Sequence, residues 1–177
     1  MPLGFWNDAG NIRYRSTYWD RYEEMWWHGD WAMETESGGM IIYGRSDSTL
    51  NPGGVRIGTA EIYRQLEAFP EILESVATAK KEDGDEKIAL FIKLNEASAQ
   101  DSPANLEFID RIKRRIRLQC SPRHVPTWIV PVEDLPKTMN GKISEIAVRN
   151  AISGIRIGNT GALANPECLV FFQNWKP

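Results

Sequence analysis

Apolar and aromatic residues fall at positions 18, 19, 22, 25 and 26, a helical spacing that predicts a helix over 16–27 behind a Ser16/Thr17 cap. Two short apolar runs follow, Trp31-Ala32-Met33 and Met40-Ile41-Ile42-Tyr43, with Glu36-Ser37-Gly38-Gly39 between them. Strand, glycine turn and strand make a hairpin. Gly44-Arg45-Ser46-Asp47-Ser48 breaks the run and marks a boundary. Beyond it, 49–51 and 55–57 flank Pro52-Gly53-Gly54 as a second short hairpin. Thr59 is placed to cap a helix over 60–68 with Glu61 in its first turn, and Leu66, Phe69, Ile72 and Leu73 supply buried contacts around Pro70.

The segments 76–81 and 87–94 read as strands joined by the turn Asp83-Gly84-Asp85-Glu86. A polar loop is expected over 97–103, then a helix over 105–118 with Leu106, Ile109, Ile112 and Ile116 on one side. Pro122 and Pro126 lead into a strand over 127–132, and the loop 135–142 precedes a helix over 144–152. The glycine- and proline-containing stretch from Gly154 predicts no element. The order hairpin, helix, two strands, helix, strand, helix defines an α+β domain.

Composition changes this picture in one respect. With 42% hydrophobic and 25% charged residues, the 177-residue chain is ordinary globular material. Five of its seven tryptophans, however, lie in the first 31 residues. Residues 1–46 hold four basic and seven acidic side chains, whereas 47–177 hold 17 of each. Two structural units meeting near residue 46 account for that shift, and the first is too short for an independent core. No apolar run approaches the roughly 18–20 residues of a membrane span, so no membrane association is expected. Cys120 and Cys168 show no metal or redox spacing, and the N-terminus lacks the pattern of a secretory signal. A reducing cytoplasm is the expected compartment.

Several residues could carry chemistry. Asp30 follows Gly29 at a strand start and could accept hydrogen bonds from paired ribose hydroxyls, or simply cap a turn. Arg45 beside the chain break could bond a sugar or a phosphate, and Asp47 could be a hinge; an ordinary surface pair of the two is equally compatible. Gly54 could bring backbone within contact of a ligand, or serve a tight turn alone. Lys142, behind Gly141 in a flexible loop, is a mobile charge suited to a phosphoryl group, although most loop lysines are merely solvated. Arg111, Lys113, Arg114, Arg115 and Arg117 crowd one helix, with Arg123 beyond. That cluster fits a nucleic-acid face, a site for nucleotide-like phosphates or a solvated face. The charge balance of 47–177 disfavours nucleic acid, and no nucleic-acid partner is expected. His28 and His124 have no telling partner spacing, and no metal site is expected in this chain.

Taken in order, Gly29-Asp30, Tyr43-Gly44-Arg45-Ser46-Asp47, the run 53–62 and Leu135-Pro136-Lys137-Thr138-Met139-Asn140-Gly141-Lys142 resemble the C-terminal motif series of the adenylate-forming acyl-CoA synthetases. The run 50–65, the opening Met1-Pro2-Leu3-Gly4-Phe5-Trp6-Asn7-Asp8 and the late Ala162-Leu163-Ala164-Asn165-Pro166-Glu167 resemble one branch, the acetoacetyl-CoA synthetases. The resemblance implies a two-step ligase: ATP and a carboxylic acid give an acyl-adenylate and pyrophosphate, and CoA thiol then displaces AMP. By motif, Asp30 and Arg45 would hold the ribose of ATP or AMP, Asp47 would be the hinge, and Lys142 would serve adenylation. Gly54 would let the pantetheine arm pass, Arg56 would lie near nucleotide or CoA phosphate, and Arg117 would meet CoA phosphates.

The implied fold is the small C-terminal lid domain of that family, over 47–153, with 1–46 as the edge of a large domain and 154–177 as a tail. The phosphate loop, the aromatic-Gly-x-Thr-Glu phrase and the acyl pocket of the family are not found in this sequence. Mg2+ and the acid, acetoacetate or another short-chain acid, would therefore be held by a separate large domain, and this chain alone is expected not to form acetoacetyl-CoA. Another short-chain acyl-CoA synthetase, or a non-catalytic lid module that binds CoA or nucleotide, is the alternative expectation.

Overall fold

The computed structural model describes residues 2–82, 84–96, 106–158 and 160–177. The first helix, α1, spans Ile12–Tyr18 rather than 16–27. It starts early because the Asp8 carboxylate accepts from the backbone N–H of Arg13 at 3.0 Å and of Tyr14 at 2.8 Å, supplying the free amides of its first turn. It ends early because the aromatic residues meet as rings on a chain that folds back. Tyr18 lies 5.9 Å from Trp26, and the Trp27 N–H bonds the Tyr18 carbonyl at 2.8 Å. The expected cap residues Ser16 and Thr17 sit inside the helix, donating to the Arg13 carbonyl.

The first hairpin forms as the alternation predicts, with β1 (Asp30–Glu34) antiparallel to β2 (Met40–Arg45). Its register sets Asp30 opposite Arg45, and a bulge interrupts it between Trp31 and Ala32. The second hairpin is reduced to a single bridge, Leu50 with Ile57, closed by a tight turn at Pro52–Gly54. Helix α2 spans Thr59–Leu66, and Gly58 rather than Thr59 is its cap residue, with the Gly58 N–H held by the Glu61 carboxylate at 3.3 Å. Thr59 is buried inside the first turn.

Strands β3 (Ile72–Glu82), β4 (Asp85–Leu94) and β5 (Trp128–Pro131) form a mixed sheet in the order β3-β4-β5, antiparallel then parallel. Helix α3 (Leu106–Gln119) lies between β4 and β5 in sequence, as a parallel pair requires. Helices α4 (Glu145–Ile152) and α5 (Leu169–Asn174) follow. The expected loop over 97–103, Asn105 and Asp83 of the turn lie outside the described residues. Leu73 and Leu106 are exposed, not buried as their spacing predicts.

The central strand β4 is buried on both faces, and its alternation divides the core. Ile88, Leu90 and Ile92 face a layer made by α2 and α3 through Ile62, Leu66, Ile112 and Ile116. Ala89 and Phe91 face the opposite layer, made by α4 and by the stretch after it, through Val148, Ala151, Leu163, Leu169 and Phe172. The segment from Gly154 onward is therefore part of a hydrophobic core: the Phe172 ring is fully buried 5.0 Å from Phe91, and Trp175 lies 5.1 Å from the same ring. Among the described residues, no helix is long and apolar enough to cross a membrane.

Candidate functional site

The hairpin register gathers three of the expected site residues. Arg45, at the end of β2, meets the Asp47 carboxylate through Nε at 3.2 Å and Nη2 at 3.3 Å, and reaches Asp30 across the ladder through Nη1 at 3.4 Å. The same Nη1 donates to the His28 carbonyl at 2.9 Å. His28 Nδ1 lies 3.3 Å from the second Asp30 oxygen, so His28 joins the cluster although its spacing gave no hint of it. The hydrogen bond with Asp47, ahead of the opposing cost of burial, raises the Arg45 pKa. These charges are partly exposed, and their mutual stabilisation is of the small size usual for such pairs, about 0–1 kcal/mol. They line a cleft of about 440 Å³ with Tyr18, Trp26 and Trp27, within the range of small-molecule sites. An acidic acceptor, a forked donor and indole walls suit a sugar joined to a planar base.

Asp47 is held from a second direction. Arg149, on α4, donates through Nη1 to the Asp47 carbonyl. The boundary residue is thus clasped by an arginine from the hairpin at its side chain and by one from the sheet-backed domain at its backbone. Sequence reading did not single out Arg149.

Arg56 lies with its guanidinium 5.2 Å from the Trp31 ring centre, a cation–π arrangement, in a second cleft of about 250 Å³ that Tyr43, Gly58 and Glu61 also line. Glu61 is oriented there by His124 Nε2 at 3.3 Å, while His124 Nδ1 faces the Ser121 hydroxyl at 2.8 Å. Gly54, two residues before Arg56, has φ +77°, and a Cβ there would meet nothing within 4 Å. Its surroundings are open, as passage of a ligand requires.

Lys142 stands at the end of a tight turn. The Thr138 N–H bonds the Lys142 carbonyl at 2.8 Å, the Lys142 N–H bonds the Thr138 hydroxyl at 3.2 Å, and Lys137 bridges Ile143. Its side chain is exposed, and its ammonium makes no hydrogen bond or ion pair among the described residues. Arg117, in the last turn of α3, is likewise exposed and unpaired among them. Neither touches the Asp30–Arg45–Asp47 cluster.

The base of the Lys142 turn is fixed by residues that the elements read from sequence did not include. Thr138 bridges Leu163, the Met139 N–H bonds the Ala162 carbonyl at 3.2 Å, and the Ala164 N–H bonds the Lys137 carbonyl at 2.8 Å. Asn165 then ties three points together: its Oδ1 accepts from the Lys137 N–H at 2.8 Å, and its Nδ2 donates to Asp134 at 2.7 Å and to the Leu135 carbonyl at 2.9 Å. Lys93 donates to Asp134 at 2.8 Å, and Lys137 Nζ pairs with Glu74 at the same distance. Burial would raise the Asp134 pKa, but the hydrogen bonds from Lys93, Asn165 and Leu135 and the charge of Lys137 outweigh it and bring the carboxyl down to about 2. The only sequence signal for this support was the phrase 162–167 itself.

Among the described residues, no group of three or more His, Cys, Asp or Glu side chains could hold a metal ion.

No family model matches the chain. A mixed three-stranded sheet covered by helices and preceded by a hairpin matches the C-terminal domain of the adenylate-forming enzymes: the solved acetoacetyl-CoA synthetase from Streptomyces lividans superposes with a TM-score of 0.85 at 39% identity, covering 98% of this chain and 26% of that one. The acetoacetyl-coenzyme A synthetase of Rhizobium meliloti (strain 1021) is 47% identical over 172 residues, covering 97% of this chain. That of Gallus gallus is 40% identical over 178 residues. Over nearly its whole length, then, the chain is homologous to the acetoacetyl-CoA synthetases of the adenylate-forming superfamily. It spans about a quarter of the length of these curated relatives, 26% in both cases.

Proposed function

We propose that this chain is the C-terminal portion of an ATP-dependent acetoacetate–CoA ligase, with residues 1–46 forming the edge of the large domain, 47–153 the lid and 154–177 its tail. In the first step, a carboxylate oxygen of acetoacetate attacks the α-phosphorus of ATP, and pyrophosphate leaves. In the second, the CoA thiol attacks the acyl carbon of the adenylate, AMP leaves, and the thiol proton goes to solvent. The acid and Mg2+ are held outside this chain. Asp30 and Arg45 grip the ribose, and Arg56 lies against a phosphate. Lys142 offsets the charge that develops on the α-phosphate during adenylation. Gly54 admits the pantetheine arm, and Arg117 meets CoA phosphate. Asp47 is the pivot that exchanges the two faces. The free thiols Cys120 and Cys168 fit a cytoplasmic setting.

The observation that carries this reading is the state of Lys142: an exposed ammonium without a partner among the described residues, on a turn braced at its base by Asp134, Lys137 and Asn165. A solvated loop lysine needs no such support. The test is a chimera in which this chain replaces the matching segment of the Rhizobium meliloti relative. Lys142→Ala should lower ATP–pyrophosphate exchange by roughly 100-fold or more, the size expected when a preorganised charge is removed. Thioester formation from supplied acetoacetyl-adenylate should stay within about twofold. Equal losses in both half-reactions overturn the assignment.

A further inference from the structure

The turn at Pro52–Gly54 carries an arginine that the reading above does not use. Arg123 projects from the short helical turn Pro122–His124, which is fixed at its start by the Arg123 N–H bonding the Ser121 hydroxyl at 3.2 Å. The neighbouring His124 ring is held between Ser121 and Glu61. From this anchored turn the guanidinium reaches over Gly53. A Cβ on Gly53 would lie 2.0 Å from Arg123 Nη1 and 3.3 Å from Cζ, so the group rests directly on the glycine's bare backbone. Any side chain at Gly53 would expel it.

The Gly53 turn is itself immobilised. Its N–H bonds Asp85 Oδ1 at 3.0 Å, and the Asn51 N–H bonds Glu86 at 3.1 Å. The same Asp85 oxygen also accepts the Glu86 N–H at 2.8 Å. These carboxylates are engaged by backbone amides, and the Arg123 guanidinium makes no ion pair or hydrogen bond among the described residues. The next residue in the chain, Gly54, is open for at least 4 Å where a Cβ would stand. A forked donor without a partner among the described residues, seated on one glycine and next to a second whose side is open, is arranged to receive an anion that approaches along the turn.

We propose that Arg123 is a further anion-recognition residue of the CoA face, binding a phosphate group of the ligand whose pantetheine arm passes Gly54. This rests on the assignment of Gly54 and Arg117 to CoA. It adds a second cation, on a different element from Arg117, so that the nucleotide end of the ligand is gripped from both α3 and the Pro122–His124 turn. The fork matters as well as the charge, because a guanidinium can take two phosphate oxygens at once and an ammonium cannot.

The test is calorimetric titration of the 177-residue chain with CoA and, separately, with inorganic pyrophosphate, at fixed ionic strength. Arg123→Ala should weaken CoA by about tenfold or more, as loss of a charge-assisted hydrogen bond does, and Arg123→Lys should recover only part of that. Gly53→Ala keeps the arginine and displaces it, and should weaken CoA similarly while a thermal melt shows the fold retained. Arg156→Ala removes the same charge from the segment after α4 and should leave CoA affinity within twofold.

CoA binding that falls with Arg117→Ala but not with Arg123→Ala overturns this proposal and leaves the CoA face standing. Equal losses for Arg123→Ala and Arg156→Ala reduce the effect to diffuse charge and also overturn it. Pyrophosphate bound as tightly as CoA and with the same dependence on Arg123 marks a general phosphate site and refutes the link to CoA. No CoA binding by the unaltered chain removes both this proposal and the reading beneath it.

Discussion

Asn165→Ala cuts the support of the Lys142 turn at one side chain. Three hydrogen bonds of 2.7–2.9 Å disappear. Two of them leave backbone groups stranded, the Lys137 N–H and the carbonyl of fully buried Leu135. A net hydrogen bond contributes about 1 kcal/mol, and an unsatisfied buried group costs roughly 1–3 kcal/mol, so the loss is about 2–4 kcal/mol once water re-enters at the partly exposed Asp134 end. For a chain of this size, that lowers Tm by roughly 5–15 °C.

The loss should also be local. Hydrogen exchange should quicken at the Met139 and Ala164 amides, which hold the turn against 162–164, and at the Thr138 amide, which closes it on Lys142, and stay slow in β4. Asn165→Asp keeps the acceptor for Lys137 but loses both donors and sets a second carboxylate against Asp134. Its deficit should exceed that of Asn165→Ala at neutral pH and shrink on acidification, as one carboxyl takes a proton. A Tm change below about 1 °C for Asn165→Ala, with unchanged exchange at Thr138 and Met139, would refute the bracing role.

Two further outcomes follow from groups already described. Asp134 has a folded pKa of about 2 against an ordinary 3.8, so its contribution to stability is present above pH 3.8 and is lost as pH falls towards 2. Thermal melts between pH 5 and 2 should show that acid limb flattened in Asp134→Asn, and an identical acid slope in the two proteins would contradict it. Phe172→Ala empties a fully buried ring site against Phe91 and should cost about 3–5 kcal/mol in urea unfolding. A cost below about 1 kcal/mol would show that the last helix is not part of the cooperative core.

What the sequence revealed and what it hid divide along a physical line. β4 was legible because Ile88, Leu90 and Ile92 alternate with Ala89 and Phe91, and both sets are buried, so pattern and packing agree. The meeting of Asp30 and Arg45 was legible only as an ordered pair of phrases. The contact itself comes from the hairpin register, which a bulge shifts and which spacing cannot supply. The helix expected over 16–27 failed because stacked aromatic rings imitate a helical stripe: Tyr18 and Trp26 meet across a reversal of the chain. The last helix stayed hidden because Leu163, Leu169 and Phe172 are separated by turn residues and find their partners far back in sequence, at Val76 and Phe91. Arg123 was overshadowed by the denser basic run on α3, although it is Arg123, not a member of that run, whose guanidinium lies against a glycine among the described residues.

The lacing of 162–165 to the Lys142 turn also sets an order in time. A chain made from its N-terminus can complete the layer between the sheet and α2–α3 as soon as β5 is available, because every buried residue of that layer lies between Leu50 and Ile129. The opposite layer, and with it the turn that presents Lys142, must wait for α4, the bridged segment 162–165 and α5, all synthesised later. Half-made molecules therefore hold a formed sheet with a slack Lys142 loop. The proposed reactive lysine takes up its final geometry among the last events of folding.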